Sequence, residues 1–285
     1  MIVAIASGKG GTGKTSVALA LGLAMDQPLH LLDCDVEEPN CHLFLAGTIT
    51  SRDEATLPVP HVVEGLCTAC GVCGQACQFG GVIVLPKGAH VFPTLCHACG
   101  ACVHLCPTGA LEERPRRIGE VTETQAGHIT VVTGRLDVGQ TLSPPLVHAV
   151  RARGNGAALQ IVDAPPGTSC PVVAAVRGAD VAVLVTEPTP FGLHDLELAV
   201  EAIRRLGVPC GVVINRAGAG DDRVHQYCAR ESIPLLLEIP QDRRIAEAYA
   251  RGLPVLTVCP ELKTSFRGLF RRLVRLARQP GRREP

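Results

Sequence analysis

Seven short runs of apolar, largely β-branched residues punctuate the chain: Ile2–Ala6, Leu29–Asp33, Ile129–Thr133, Leu159–Asp163, Val181–Thr186, Gly211–Asn215 and Leu235–Ile239. Between them lie longer stretches with helical spacing of apolar positions: Lys14–Ala24, Ser143–Arg153, His194–Leu206, Asp221–Glu231 and Asp242–Ala250. Strands that are apolar without alternation are buried on both faces, so the pattern predicts a parallel sheet with helices on each side. Regular exchange of strand and helix predicts an α/β, doubly wound, mostly parallel fold.

The exchange stops between residues 48 and 128. Inside that gap Cys67, Cys70, Cys73 and Cys77 recur 29 positions later as Cys96, Cys99, Cys102 and Cys106. From residue 66 to 111 the one formal charge is Lys87. The expectation is a small α+β domain, 58–112, inserted into a larger one made of 1–57 and 113–285. About fifty residues bury too little core to stand alone, so metal clusters are expected to hold the insert together. Thr50–Pro60 and Arg114–Gly127 read as linkers, and Val82–Leu85 with His90–Phe92 as a hairpin between the two cysteine runs.

Composition adds bounds. The chain has 285 residues, 46% of them hydrophobic, and zero formal net charge. Nothing in that balance draws it to nucleic acid or anionic lipid. No apolar run is long enough to span a bilayer, and Met-Ile-Val-Ala-Ile-Ala lacks the basic start of a signal peptide. Fourteen cysteines, eight of them regularly spaced, read as metal ligation in a reducing, cytoplasmic setting.

Gly8-Lys9-Gly10-Gly11-Thr12-Gly13-Lys14-Thr15, followed by Ser16, matches the phosphate-binding pattern G-x-x-x-x-G-K-[ST] between a strand and a helix. Backbone N–H groups of such a loop converge on phosphate oxygens at the positive helix end. Lys14 would reach the β and γ phosphates, and the Thr15 hydroxyl would ligate Mg²⁺. The second lysine, Lys9, is unusual, because only four of the 27 basic residues are lysine. The variant resembles the deviant Walker A loop of the MinD/Mrp/nitrogenase iron-protein family. That resemblance implies a dimer, with itself or with a similar ATPase chain, in which Lys9 contacts nucleotide on the other subunit. A compact ammonium suits such a point contact.

The same resemblance implies roles for other positions. Leu31-Leu32-Asp33-Cys34-Asp35 resembles the first switch, with Asp35 orienting the attacking water; Asp33 is also read as a plain strand-end carboxylate. Ile161-Val162-Asp163-Ala164-Pro165-Pro166-Gly167 resembles the Walker B strand and second switch. There Asp163 would hold Mg²⁺ through water and the Gly167 N–H would sense the γ phosphate. Asn215 would hydrogen-bond adenine, and Pro240 would pack on the base. The implied chemistry is ATP hydrolysis, in which the protein mainly positions the water and neutralises charge. Lys14, Lys9, Asp35 and Asp163 are the residues expected to carry it.

The cysteine runs match the bacterial two-cluster ferredoxin pattern, in which the fourth cysteine ligates the other cluster. The pattern assigns one 4Fe–4S cluster to Cys67, Cys70, Cys73 and Cys106, and the other to Cys96, Cys99, Cys102 and Cys77. Zinc is the alternative for Cys-x-x-Cys pairs; the tandem runs with a three-residue last gap favour iron–sulfur. Gln78 departs from the proline usual after a fourth cysteine. Cys34, Cys41, Cys170, Cys210, Cys228 and Cys259 read as buried small hydrophobes, and His97 and His104 as loop surface.

Residues 265–278 put Phe266, Leu269, Phe270, Leu273, Val274 and Ala277 on one helical face, and Arg267, Arg271, Arg275 and Arg278 on the other. Such a helix can lie on a membrane, as the tail of MinD does. The expectation is instead a last helix docked on the sheet, since no long linker precedes it. Three functions follow: ATP-gated electron transfer to a redox partner, assembly or carriage of iron–sulfur or other metal clusters for a partner protein, and membrane positioning with a redox sensor. Stably held clusters and the lack of a further Cys-x-x-Cys pair favour the first; resemblance to Mrp-type carriers favours the second.

Overall fold

The computed structural model describes residues 1–278. The chain begins β1 (Ile2–Ala6), α1 (Lys14–Ala24), β2 (Leu29–Asp33) and a single turn, α2 (Cys41–Phe44). It continues through β3 (Thr48–Val62), α3 (Val72–Ala76), β4 (Val82–Leu85), β5 (Gly88–Val91), α4 (Ala101–His104) and β6 (Leu111–Ala126). Then come β7 (Ile129–Leu136), α5 (Pro144–Arg153), β8 (Gln160–Asp163), α6 (Cys170–Val176), β9 (Val181–Thr186), α7 (Pro190–Arg205) and β10 (Cys210–Ala217). The last elements are α8 (Arg223–Arg230), β11 (Leu235–Pro240), α9 (Arg243–Ala250), α10 (Val255–Val258) and α11 (Leu262–Ala277). All seven expected core strands are present, β1, β2 and β9 with the expected ends.

One sheet has the order β11-β10-β9-β1-β8-β2-β7-β6-β3. Strand β1 lies between β8 and β9, parallel to both, with Ile5 opposite Asp163 and Val183. β2 pairs in parallel with β7 and β8, which sets Asp33 opposite Asp163. β10 pairs in parallel with β9 and β11. The parallel strands therefore deliver the loops after β1, β2, β8, β10 and β11 to one edge, the carboxyl edge where ligands bind in such sheets.

The fold packs as two compact units, residues 1–52, 121–135 and 147 onward in the first, Asp53–Glu120 and Leu136–Leu146 in the second. In the first, α1 is buried nearly all round, from Lys14 through Ala24. It packs against α11, whose Phe266, Leu269 and Leu273 are buried. Each such side chain contributes about 1.5–3 kcal/mol on leaving water. Arg267 of α11 donates from Nε to the Ala24 carbonyl at 3.0 Å and pairs with Asp26. The docked expectation holds, and among the described residues no helix is long and apolar enough to cross a membrane.

The second unit contains the expected hairpin: β4 and β5 pair antiparallel, Val82 opposite Val91 and Leu85 opposite Gly88. A small core of Cys73, Val82, Ala89, Cys102 and Leu111 lies beneath it. The structure corrects the two linkers. Thr50–Pro60 lies in β3 and Arg114–Gly127 largely in β6, adjacent in the sheet. Ala55, Leu57 and Val59 are buried at every second position, the signature of a half-buried strand. Charges and Pro58, Pro60 and Pro115 hide that alternation in the sequence. Some of those charges pair, Arg117 with Glu54 at 2.6 Å and with Asp137 at 2.9 Å.

Candidate functional site

The loop from Ser7 to Gly13 turns the chain from β1 into α1. Gly11 and Gly13 have φ of 77° and 95°, a left-handed backbone that glycine adopts without strain. A Cβ at Gly13 would also lie 2.4 Å from Asn215 Nδ2. The loop is tied internally: the Ser7 hydroxyl donates to the Lys9 carbonyl at 2.5 Å, and Asn215 Nδ2 donates to the Thr12 carbonyl at 2.8 Å. The Gly167 N–H donates to the Ser7 carbonyl at 3.0 Å.

Register places the acidic groups beside this loop. The Thr15 hydroxyl donates to Asp163 Oδ2 at 2.6 Å. Asp163 is fully buried, and its Oδ1 has no hydrogen-bond partner. Burial pushes its carboxyl up, against the Thr15 hydrogen bond and Lys14, which pull it down. A hydroxyl beside an orphaned buried carboxylate oxygen is a hard-donor set of the kind Mg²⁺ takes. Lys14 is itself buried; desolvation lowers its pKa, while Asp163 and Asp35 hold it up. Asp35 is pushed up to about 6, first by burial, with Lys14 opposing. Asp33 accepts from the Asn40 and Cys41 N–H groups at 3.0 and 2.9 Å, so it caps the start of α2. Burial and then Asp163 push it up to about 8.

Beside them lies a cleft of about 1160 Å³ whose walls include Lys14, Thr15, Ser16, Asp35, Asn215 and Pro240. That volume has room for a nucleotide. Lys9 is half-buried, and its Nζ stands 3.9 Å from Glu187 Oε2. Glu187 also accepts from Arg216 Nη1 at 2.6 Å.

In the second unit the eight cysteines line two cavities. One is bordered by Cys77, Cys96, Cys99 and Cys102, the other by Cys67, Cys70, Cys73 and Cys106. Backbone N–H groups point at the sulfurs. Gly81 and Ala98 donate to Cys77 and Cys96 at 3.2 and 3.4 Å; Ala89 and Ala110 donate to Cys67 and Cys106 at 3.4 and 3.2 Å. The 29-residue repeat also governs the backbone: Ala69 and Ala98 have φ of 52° and 53°, Gly71 and Gly100 of 87° and 71°. A left-handed alanine is strained, and here the strain turns the chain between the first two cysteines of each run. Burial pushes Cys73 and Cys102 up, while for Cys77 and Cys106 nearby backbone N–H groups outweigh burial and lower the thiol. Among the described residues only Asp33, Cys41 and Asp163 bring three potential ligand atoms within 4.8 Å of one another. No three sulfurs of either cavity lie that close together.

The profile of the CobQ/CobB/MinD/ParA nucleotide binding domain matches residues 3–255. The chain belongs to that family. It is a P-loop ATPase of the MinD/ParA type. MinD of Pyrococcus horikoshii, solved with Mg-ADP, superposes with a TM-score of 0.58 at 22% identity, covering 97% of each chain. The uncharacterized protein MJ0579 of Methanocaldococcus jannaschii is 30% identical over 258 residues, 88% of this chain and 90% of its own. An iron-sulfur cluster carrier protein of Aquifex aeolicus is 24% identical over 280 residues, 91% of this chain and 63% of its own.

Within this MinD/ParA-type ATPase, Gly10, Gly11, Gly13, Lys14, Thr15, Ser16, Asp35, Asn215 and Pro240 line the cleft, and the eight cysteines line the two cavities. Gly8, Thr12, Asp163 and Gly167 are not among the cleft walls; Asp163 and Gly167 meet the loop region through Thr15 and Ser7, and Lys9 pairs with Glu187. Sequence reasoning missed Glu187, which binds both Lys9 and Arg216, and Cys41, whose Sγ lies 3.6 Å from Asp163 Oδ2. Neither carries a local signal, because both meet their partners only through the fold. Of the six scattered cysteines, Cys34, Cys41, Cys228 and Cys259 are buried, but Cys210 is half-buried and Cys170 is exposed. Cys170 begins α6 ahead of its buried face. His97 and His104 are exposed, as expected, and the His97 ring stacks on Phe79 at 3.8 Å between centroids.

Proposed function

We propose that this ATPase holds two 4Fe–4S clusters and that its nucleotide state governs them, with ATP-gated single-electron transfer to a partner protein as the output. The observation that carries the reading is the pair of cavities, each bordered by four cysteines, one of which comes from the other run. Their sulfurs receive backbone N–H groups, which suits an anionic cluster, and the tandem runs with a three-residue last gap favour iron–sulfur over zinc. The clusters, when bound, supply one-electron storage.

In the cleft, Lys14 and the loop N–H groups bind the triphosphate, Thr15 and Asp163 hold Mg²⁺, and Asp35 orients the attacking water. Asn215 and Pro240 face the base. Lys9 leaves Glu187 to reach the nucleotide of a second copy or a similar chain. The second reading, cluster assembly or carriage for another protein, is favoured by the name of the Aquifex aeolicus relative. Complete four-thiolate ligation weighs against it, because firmly held clusters transfer poorly. Membrane positioning loses its anchor, since Phe266, Leu269 and Leu273 are buried in the core.

An anaerobic comparison of wild type and Lys14→Ala tests the proposal. The clusters are reduced with dithionite, then a redox acceptor or an apo-ferredoxin is added with and without ATP. ATP-dependent oxidation with iron retained, lost in Lys14→Ala, is the expected result. ATP-dependent movement of iron to the apo-ferredoxin supports carriage instead. A preparation that is colourless under anaerobic conditions, or indifferent to ATP in both assays, overturns the coupling.

A further inference from the structure

The 29-residue repeat makes the two cysteine cavities comparable position by position, and their other walls differ. The Cys77/Cys96/Cys99/Cys102 cavity is also lined by Phe79, His97 and Glu113. Advancing or receding by 29 residues turns these into Thr108, Thr68 and Val84, and all three line the Cys67/Cys70/Cys73/Cys106 cavity. The backbone contribution is even, two N–H donors at the sulfurs of each. The side chains are not. Thr108 Oγ1 lies 3.7 Å from Cys106 Sγ. A ligating thiolate has no proton, so there the hydroxyl is the donor. The equivalent place beside Cys77 holds Phe79, stacked flat on His97 with 9° between the rings. Glu113 brings a carboxylate to that same cavity where its counterpart has Val84.

Reduction adds a negative charge to a cluster. Hydrogen bonds to its sulfurs favour the added charge and raise the potential. A carboxylate nearby opposes it, attenuated by solvent because Glu113 is exposed. Both differences act in one direction. We infer that the two sites differ in reduction potential, the Cys67/Cys70/Cys73/Cys106 site being the higher, so that a single electron on the pair resides there. With clusters bound, an electron entering at the other site would pass to the Cys67/Cys70/Cys73/Cys106 site, the first being reoxidised as the second is reduced. The protein then stores its first electron away from the Phe79–His97 stack. This rests on the two-cluster reading above.

The test is an anaerobic potentiometric titration of the full chain, followed by electron paramagnetic resonance and visible absorption. Wild type is expected to reduce in two one-electron steps. Thr108→Val should lower the upper step and leave the lower one in place. Glu113→Gln should raise the lower step and leave the upper one in place. Should Thr108→Val fail to retain wild-type iron and sulfide, Thr108→Ala serves in its place, and Glu113→Gln tests the other cavity independently. Iron-replete wild type reducing in one coincident step, or Thr108→Val moving the lower step instead, overturns the inference alone. Protein lacking iron–sulfur absorption overturns the two-cluster reading and the inference with it.

Discussion

Asp33 and Asp35 lie two residues apart, yet the fold gives them different work. Asp33 is sealed under the start of α2 and is pushed up to about 8 by burial, then by Asp163. A carboxyl whose folded pKa exceeds its ordinary value of 3.8 contributes stability that is full below that value and lost as the pH climbs through the folded one. Asp33→Asn copies the neutral form. Urea unfolding should therefore raise the variant's midpoint above wild type by more at pH 8 than at pH 5; an equal difference at both would mean Asp33 titrates normally. Asp35 is only part-buried, faces the cleft and is pushed up to about 6. On the proposed reading its carboxylate form serves the attacking water. ATP hydrolysis should rise as the pH climbs through about 6 and then level off. Asp35→Asn should lose about 100-fold or more and show no such rise. A wild-type rate flat from pH 5 to 8 would remove Asp35 from that role.

Element packing offers its own test in α11. Phe266 is fully buried between α11 and the core while Arg271 of the same helix is exposed. Phe266→Ala should cost about 3–5 kcal/mol, and Arg271→Glu less than about 0.5. Thermal melts of the two variants separate a docked helix from a free amphipathic one, for which the two changes would be alike. This helix was legible in the sequence because its apolar positions repeat locally, as do those of β1, β2 and β9 and the cysteine spacing. β3 and β6 were not legible, because their cross-strand charges and prolines mask the period-two burial of Ala55, Leu57 and Val59. The P-loop could be read from nine consecutive residues. Its ties to Asn215, some two hundred residues away, and of Lys9 to Glu187 could not, since no local pattern records which distant strand end will stand beside a loop.

At the scale of the whole molecule, three groups assigned to nucleotide sensing already hold internal partners in the single chain. Lys9 pairs with Glu187, the Gly167 N–H with the Ser7 carbonyl, and Asn215 with the Thr12 carbonyl. Lys9 and the Gly167 N–H must each exchange that partner to do what the proposed reading asks, whereas Asn215 Nδ2 has a second hydrogen to donate. For Lys9 the exchange costs little: the pair is long at 3.9 Å, a third of the lysine side chain is exposed, and Glu187 keeps Arg216. Surface pairs of this kind are worth about 0–1 kcal/mol. On the proposed reading, a triphosphate on a second subunit offers a stronger, more concentrated negative charge, and closure of a nucleotide-loaded dimer would draw Lys9 away from Glu187. Two consequences can be measured. ATP hydrolysis per chain should climb with protein concentration until the dimer saturates, because each site lacks a cation until the other chain arrives. Lys9→Ala should bind a fluorescent ATP analogue as tightly as wild type when dilute, yet hydrolyse ATP at least about 100-fold more slowly at every concentration. Lys14→Ala, by contrast, should lose nucleotide even when dilute. Wild-type turnover independent of concentration, together with undiminished turnover in Lys9→Ala, would mean that each chain completes its own site and that Lys9 belongs to Glu187.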